Sequence, residues 1–268
     1  MIRCGVLNLH EESFVERLLH RLIRSQIAGT TISNALSKAR ELNKRGFPAT
    51  IEYLYDNIDD KQKARYVRMT YEELVRRASS IELNVSVHVP AYQLGYRLDY
   101  PFFKEQLNEL INTTNQKGTF LWLETDTING IEDLLNKKGF GIAIRCDKKK
   151  KIDKVPSAVK LIYYDQNGKE EKIVKNVIGK AKNVVVHTRD EKIVKAISKI
   201  GKGKVTFELP LGFSKKKMEK MARQGVKISV FVPFGKAWME YATRSMPNGY
   251  IKRIAASLLK RKIGESYA

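Results

Sequence analysis

The sequence predicts an α/β protein of the TIM type: one closed (β/α)8 barrel with a helical N-terminal extension, a C-terminal helix and a shortened helix after strand four. Three observations carry this. Eight short β-branched or aromatic runs occur along the chain, helical patterns separate most of them, and 268 residues is close to the ~250 typical of such a barrel. Strand, helix, strand in repetition implies parallel strands, because a parallel pair needs a long crossover connection and helices supply it.

Taken in order, the N-terminal region (1–47) reads as helical over Glu11–Gln26 and Ile32–Lys44. The barrel is expected over 48–248, with strands at Ala49–Leu54, Glu82–Val89, Thr119–Glu124, Gly139–Arg145, Ala158–Tyr163, Asn183–His187, Lys204–Glu208 and Val226–Val232. Their length, composition and flanking turn residues are those of strands. Between them, Asp60–Ser80 is helical at least from Tyr71, with Thr70 read as its cap ahead of Glu72 and Glu73. Helices are then expected over Phe102–Thr113, Gly130–Lys138, Lys169–Lys182, Asp190–Ile200 and Ser214–Gln224. Gly46, Gly118, Gly139, Gly201 and Gly225 follow helix ends, where a left-handed residue is often required. The segment between Arg145 and Ala158 is too short for a full helix with its loops and holds four consecutive lysines, Lys148–Lys151, which repel one another and favour a solvated connection. An amphipathic stretch, Gly249–Ile263, closes the chain within 249–268. No linker divides the 268 residues, so one domain is expected.

The composition excludes several classes. No apolar run approaches the roughly 20 residues of a membrane helix. The opening Met1-Ile2-Arg3-Cys4 has no apolar signal core, so a cytoplasmic location is expected. Cys4 and Cys146 lie far apart with no CxxC, so neither a disulfide framework nor a zinc site is expected. The charge is unusual: 50 basic residues against 29 acidic ones give a formal +21. That excess attracts polyanions, and an enzyme acting on a small zwitterion does not need it. Solvated lysine faces are the plainer explanation.

In a (β/α)8 barrel the chemistry sits at the C-terminal ends of the strands. The polar residues there are His88, Glu124 with Asp126 nearby, Arg145, Lys160 with Tyr163, His187 and Glu208, and Arg244 can reach the same face from beyond the last strand. His88, His187, Glu124 and Glu208 show no HxH or HExxH spacing, so a metal is not expected. No GxSxG marks a nucleophile, and no GxGxxG follows a strand. A flavin lying across the strand ends, with basic side chains on its phosphates and ring edge, remains compatible with Arg145, Lys160 and His187.

Several segments resemble the monofunctional proline dehydrogenases. They are Ile27-Ala28-Gly29-Thr30-Thr31, Arg40–Gly46, Ala49–Leu54, Ser86-Val87-His88 with Gln93-Leu94-Gly95, Val159–Tyr163, Phe207–Gly212, and most specifically Val230–Gly235 followed by Trp238 and Tyr241-Ala242-Thr243-Arg244. They occur in the family's order over nearly the whole chain. The resemblance implies a barrel that oxidises L-proline to pyrroline carboxylate with FAD and passes the electrons to a quinone or another carrier. It places Tyr241 and Arg244 at the start of the YxxRRxxE pattern that holds the proline carboxylate, and Lys160, Tyr163 and His187 at matching positions around the cofactor. Glu124 fits the third-strand acid best, Asp126 less well. The chain also departs from the pattern. Ser245 replaces the second arginine and Asn248 the glutamate; His88 stands for a lysine, Arg145 for a glutamine, Ser157 for an arginine, Leu161 for a glycine and Phe231 for a tyrosine. Half of a bidentate clamp fixes a carboxylate less firmly than the whole.

The expected site is therefore Arg244, Tyr241, Glu124 and His88 about the substrate, with Arg145, Lys160, Tyr163 and His187 about FAD. Structural roles compete with each of these. Arg244 could pair with a surface acid, the histidines could be core residues, Lys160 a scaffold ion pair, and Tyr163 barrel packing. A second reading takes the fold as retained and turned to binding RNA or the ribosome. It is motivated by the net charge, Lys148–Lys151, Lys215–Lys217 and Lys260-Arg261-Lys262.

Overall fold

The computed structural model describes residues 24–55, 57–146, 155–163, 170–201, 203–238 and 241. Eight parallel strands close into a barrel in sequence order: β1 (Ala49–Leu54), β2 (Val85–Pro90), β3 (Phe120–Glu124), β4 (Phe140–Arg145), β5 (Ala158–Tyr163), β6 (Asn183–Thr188), β7 (Val205–Pro210) and β8 (Lys227–Gly235), with β8 pairing back onto β1. Six helices are described: α1 (Ile32–Asn43), α2 (Lys61–Ser80), α3 (Tyr100–Gln116), α4 (Glu170–Ile178), α5 (Glu191–Gly201) and α6 (Lys215–Arg223).

The strand intervals lie within three residues of those expected from sequence. The helices differ more. Helix α2 starts at Lys61, capped by the Asp60 side chain on the Lys63 N–H (2.8 Å), and Thr70 sits inside it with its hydroxyl bonded to the Tyr66 carbonyl. Its interval matches the expected Asp60–Ser80, and only the cap differs; helix α3 starts two residues earlier than expected, behind an Asp99 cap. The expected helix Gly130–Lys138 is a single 3-10 turn, Glu132–Leu134. Its few apolar anchors, Ile131, Leu134 and Leu135, are all buried, and an adjacent pair of leucines does not make the stripe a helix needs. After α5 the left-handed residue is Gly203 (φ 78°), not Gly201, which ends the helix itself. The shortened helix after β4, the helix expected over Glu11–Gln26 before residue 24, and the C-terminal helix lie outside the described residues.

Strand alternation decides what each side chain faces. Ile51, Val87, Leu123, Ile142, Leu161, Val186, Leu209 and Val232 belong to the large outer core, together with Leu36, Leu74, Leu107 and Ile197 of the helices. The opposite phase fills the barrel. At its floor Trp122, Ala158 and Val185 pack as a separate small cluster, and a side chain on Gly141 would lie 2.6 Å from the Trp122 ring. Toward the C-terminal mouth, Phe231, Leu54, Ala237 and Tyr241 form another cluster. Closure of β8 on β1 needs Gly235, whose φ is 134° and where a Cβ would lie 2.1 Å from the Leu54 carbonyl oxygen. No helix among the described residues is long and apolar enough to cross a membrane.

Candidate active site

Between floor and mouth the inward phase is polar. Glu52, His88, Glu124, Arg145, Lys160, His187 and Glu208 come from β1 to β7, and register places Glu52 beside His88 and His187 beside Glu208. Five of these seven are buried, and the side chains pair with one another. The Lys160 ammonium, fully enclosed, lies 2.8 Å from Glu208 Oε1 and 5.0 Å over the Trp122 ring. His187 Nδ1 lies 2.9 Å from Glu208 Oε2, so the carboxylate accepts from both partners. Nearer the mouth, Glu124 accepts from His88 Nε2 (2.8 Å) and from the Arg145 guanidinium (2.5 Å). Glu52 Oε2 lies 3.9 Å from His88 Nε2.

Burial and pairing set the protonation of this network. Burial alone would raise the Glu208 carboxyl, but the charge of Lys160 and the hydrogen bond from His187 hold it well below the usual carboxylate range. Burial works against Glu124 too; the His88 hydrogen bond and the Arg145 charge outweigh it and hold the carboxyl at about 2. The Lys160 ammonium is pulled below its usual value by burial, against the attraction of Glu208. Burial also lowers His88, against its bond to Glu124. A neutral His88 that donates Nε2–H to Glu124 leaves Nδ1 as an acceptor, and that buried atom has no hydrogen-bond partner among the described residues.

The scaffold fixes His88 from behind. The Tyr71 hydroxyl on α2 accepts from the Tyr53 N–H (3.0 Å) and lies 2.9 Å from the His88 carbonyl oxygen, while burial pushes its pKa well up and keeps it a donor. Gln93 lies within reach of the same hydroxyl (3.2 Å) and donates to the Tyr53 carbonyl (2.9 Å). In front, the Phe231 ring stands edge-on to both His88 (5.5 Å) and His187 (4.9 Å) and stacks with Tyr241 (6.2 Å).

The sequence-derived set thus divides. His88, Glu124, Arg145, Lys160 and His187 share the barrel interior, and Tyr241 joins its aromatic roof. Tyr163 falls on the outward phase of β5 and packs in the outer core with Leu161 and Val159, away from the others. Asp126 is exposed in the loop after β3. Arg244 lies outside the described residues. Sequence reasoning missed Glu52 and left Glu208 out of the final set. The signal for both was strand phase, since Thr50 and Glu52 break the apolar run of β1 on the same phase that carries the other polar residues. Among the described residues no group of three or more His, Cys, Asp or Glu is placed to hold a metal ion.

The chain is 21% identical over 255 residues to proline dehydrogenase 1 of Bacillus subtilis subsp. natto, covering 82% of this chain and 84% of that protein. The same figures hold for proline dehydrogenase 1 of Bacillus subtilis strain 168, and proline dehydrogenase 2 of subsp. natto is 18% identical over 254 residues. This chain is a distant homologue of the proline dehydrogenases. No family model matches it. Among solved structures it is similar to proline utilization A (PutA) from Bdellovibrio bacteriovorus inactivated by N-propargylglycine, with a TM-score of 0.71 at 15% identity over 86% of this chain. A PutA mutant, D779W, from Bradyrhizobium japonicum gives a TM-score of 0.61 at 14% identity over 85%. The chain spans 33% and 31% of those two PutA chains, and the likeness establishes a shared barrel fold.

Proposed function

We propose that this protein is a flavin-dependent dehydrogenase that oxidises L-proline, or a related small imino or amino acid, to the pyrroline carboxylate level. FAD is the cofactor, a quinone or another carrier takes the electrons, and the reaction runs in the cytoplasm. The observation that carries this reading is the convergence of polar side chains from β1 to β7 inside a closed barrel under an aromatic roof, in a distant homologue of proline dehydrogenases. A merely structural barrel interior would be filled with branched apolar layers.

The residues present fit a flavin at the rim, not in the depths. Lys160 is enclosed and held by Glu208, so its role is to keep that carboxylate charged and His187 oriented. Arg145, whose side chain is 28% exposed, offers guanidinium N–H groups at the mouth, and His187 stands at the same level of the inward phase two strands on, with Ile162 of β5 between them. These two would hold the polar edge of the cofactor. When bound, the flavin supplies the two-electron acceptor for the hydride leaving the carbon next to nitrogen. Arg244 takes the substrate carboxylate, by its place in the sequence pattern. Glu124 anchors His88 through Nε2–H, which directs the Nδ1 lone pair to a substrate N–H. Phe231 and Tyr241 exclude water above the histidines. The decisive experiment is reconstitution of purified protein with FAD, followed by its visible spectrum and by proline-dependent reduction of a quinone analogue. A bound flavin band that bleaches with proline is expected. Protein that stays colourless after reconstitution would remove the reading.

A further inference from the structure

The charge of the barrel is unevenly distributed between its two ends. The segments that lead into the strands (44–48, 81–84, 117–119, 135–139, 155–157, 179–182, 203–204 and 224–226) hold eight Lys or Arg and one acid, Glu82. The described segments that follow the strands (55, 57–60, 91–99, 125–131, 146, 189–190, 211–214 and 236–238) hold five Asp and three Lys or Arg. Six of the eight strands bring an exposed lysine to the N-terminal end: Lys44, Lys117, Lys138, Lys182, Lys204 and Lys227, for β1, β3, β4, β6, β7 and β8. None of the six makes an ion pair among the described residues. Arg45 on the same face is engaged by Glu219 (3.0 Å). By contrast, Lys215 and Lys217, part of the basic cluster noted in the sequence, face carboxylates of Glu41 (3.3 Å) and Glu191 (2.5 Å).

Helix dipoles explain part of such a bias, because helix C-termini point to this end and favour cations in their last turn. Lys44 and Lys117 are C-caps of α1 and α3, where that effect acts, but Lys138, Lys182, Lys204 and Lys227 lie beyond any described helix end. Strands β6, β7, β8 and β1 are consecutive in the barrel, so Lys182, Lys204, Lys227 and Lys44 form an arc. Neighbouring strands stand about 4.8 Å apart, well inside the ~10 Å screening length at 0.1 M salt. Exposed lysines attached at that spacing can converge on one polyanion, and an anion laid across the arc would neutralise several at once.

We propose that this N-terminal face of the barrel binds RNA through its phosphate backbone. A bilayer fits less well, since membrane-surface binders add apolar residues that sink between lipids, and of the exposed large hydrophobics only Ile81 lies on this face. B-form DNA fits less well too. The described helices meet this face end-on, so among the described residues no helix lies along it to enter a major groove, whereas duplex RNA is met across its backbone by shape. The proposed catalytic mouth is at the other end, so this inference stands or falls without the flavin reading.

The test is fluorescence anisotropy of the full chain with a labelled RNA duplex, the same sequence as DNA, and anionic phosphatidylserine vesicles. With about four phosphates contacted, raising salt from 50 to 200 mM should weaken RNA binding by roughly 100-fold. The triple variant Lys182→Gln, Lys204→Gln, Lys227→Gln should lose RNA affinity by at least about tenfold and show a shallower salt slope. The charge-matched control Lys192→Gln, Lys195→Gln, Lys216→Gln, on α5 and α6, should bind nearly as wild type. Both variants are checked for fold by far-UV circular dichroism. An equal loss in the control would show that only total charge matters and would overturn the assignment to this face. Salt-insensitive binding, equal or tighter binding of DNA, or binding of vesicles alone would each overturn it as well.

Discussion

Replacing Lys160 by methionine tests the claim that the barrel interior is an electrostatic unit. Methionine is close in length and keeps the apolar stem against Trp122, so little cavity forms. What is lost is the charge that faces Glu208 at 2.8 Å in a site closed to solvent. Removing one member of a buried pair strands the other, at a cost of about 3–5 kcal/mol. For a chain of this size that lowers Tm by roughly 6–20 °C. The sign with pH follows from the shift. The Glu208 carboxyl is depressed in the folded wild type, so its contribution is complete above the ordinary carboxylate range and is lost only as pH falls through the much lower folded value. Without Lys160, burial drives that carboxyl up. The variant's deficit should therefore be largest at neutral pH and shrink as acid protonates Glu208. Urea unfolding followed by far-UV circular dichroism at several pH values reads it. The double variant Lys160→Met, Glu208→Gln removes the stranded charge, keeps an acceptor for His187 and should recover most of the loss. A single variant within about 1 kcal/mol of wild type, or a double variant no better than the single, would refute the reasoning.

Two further outcomes follow from the same geometry. Glu124→Gln should flatten the acid limb of the stability curve: with the folded carboxyl at about 2 against ~4.3 unfolded, wild type loses about 3 kcal/mol as pH drops from 5 toward 2, and the difference in urea midpoints across that range measures it. Gly235→Ala should yield little folded protein, because its Cβ would meet the Leu54 carbonyl at 2.1 Å where β8 closes on β1, whereas Gly46→Ala, with open space around a φ of 81°, should cost only about 1 kcal/mol; comparable soluble yields and Tm values for the two would contradict the closure argument.

The sequence made the strands legible because each is a short apolar run bounded by turn residues, and parallel barrel strands are buried on both faces. Helix starts were less legible. Asp60 and Asp99 cap α2 and α3 before their apolar stripes begin, so a reading keyed to the stripe places the cap of the first and the start of the second late. The site was legible in part. His88, Glu124, Arg145, Lys160 and His187 each announce themselves as polar residues near strand ends, but which residue pairs with which depends on closure of the barrel and on register. Nothing local says that Lys160 reaches Glu208, 48 residues away. Tyr163 shows the limit from the other side. It ends the same strand as Lys160, three residues on, and that odd spacing turns it to the outer core.

Strand phase also sorts the positions where the chain departs from the proline dehydrogenase pattern. Leu161 takes the outward phase of β5 and fills the outer core, and Ser157 donates its hydroxyl to the Leu135 carbonyl (3.2 Å) below the strand. Both are accounted for by packing at a distance from the mouth. His88, Arg145 and Phe231 form the other group, and they touch. His88 and Arg145 share the two oxygens of Glu124, and Phe231 stands edge-on to His88. Independent drift would scatter changes over the barrel. Here two replacements meet on one carboxylate, which accepts from His88 Nε2–H and from the Arg145 guanidinium, and the third packs on the first. That contiguity predicts coupling: the effects of changing His88 and Arg145 should be non-additive, since either alone leaves Glu124 one of these two partners and both together leave it neither.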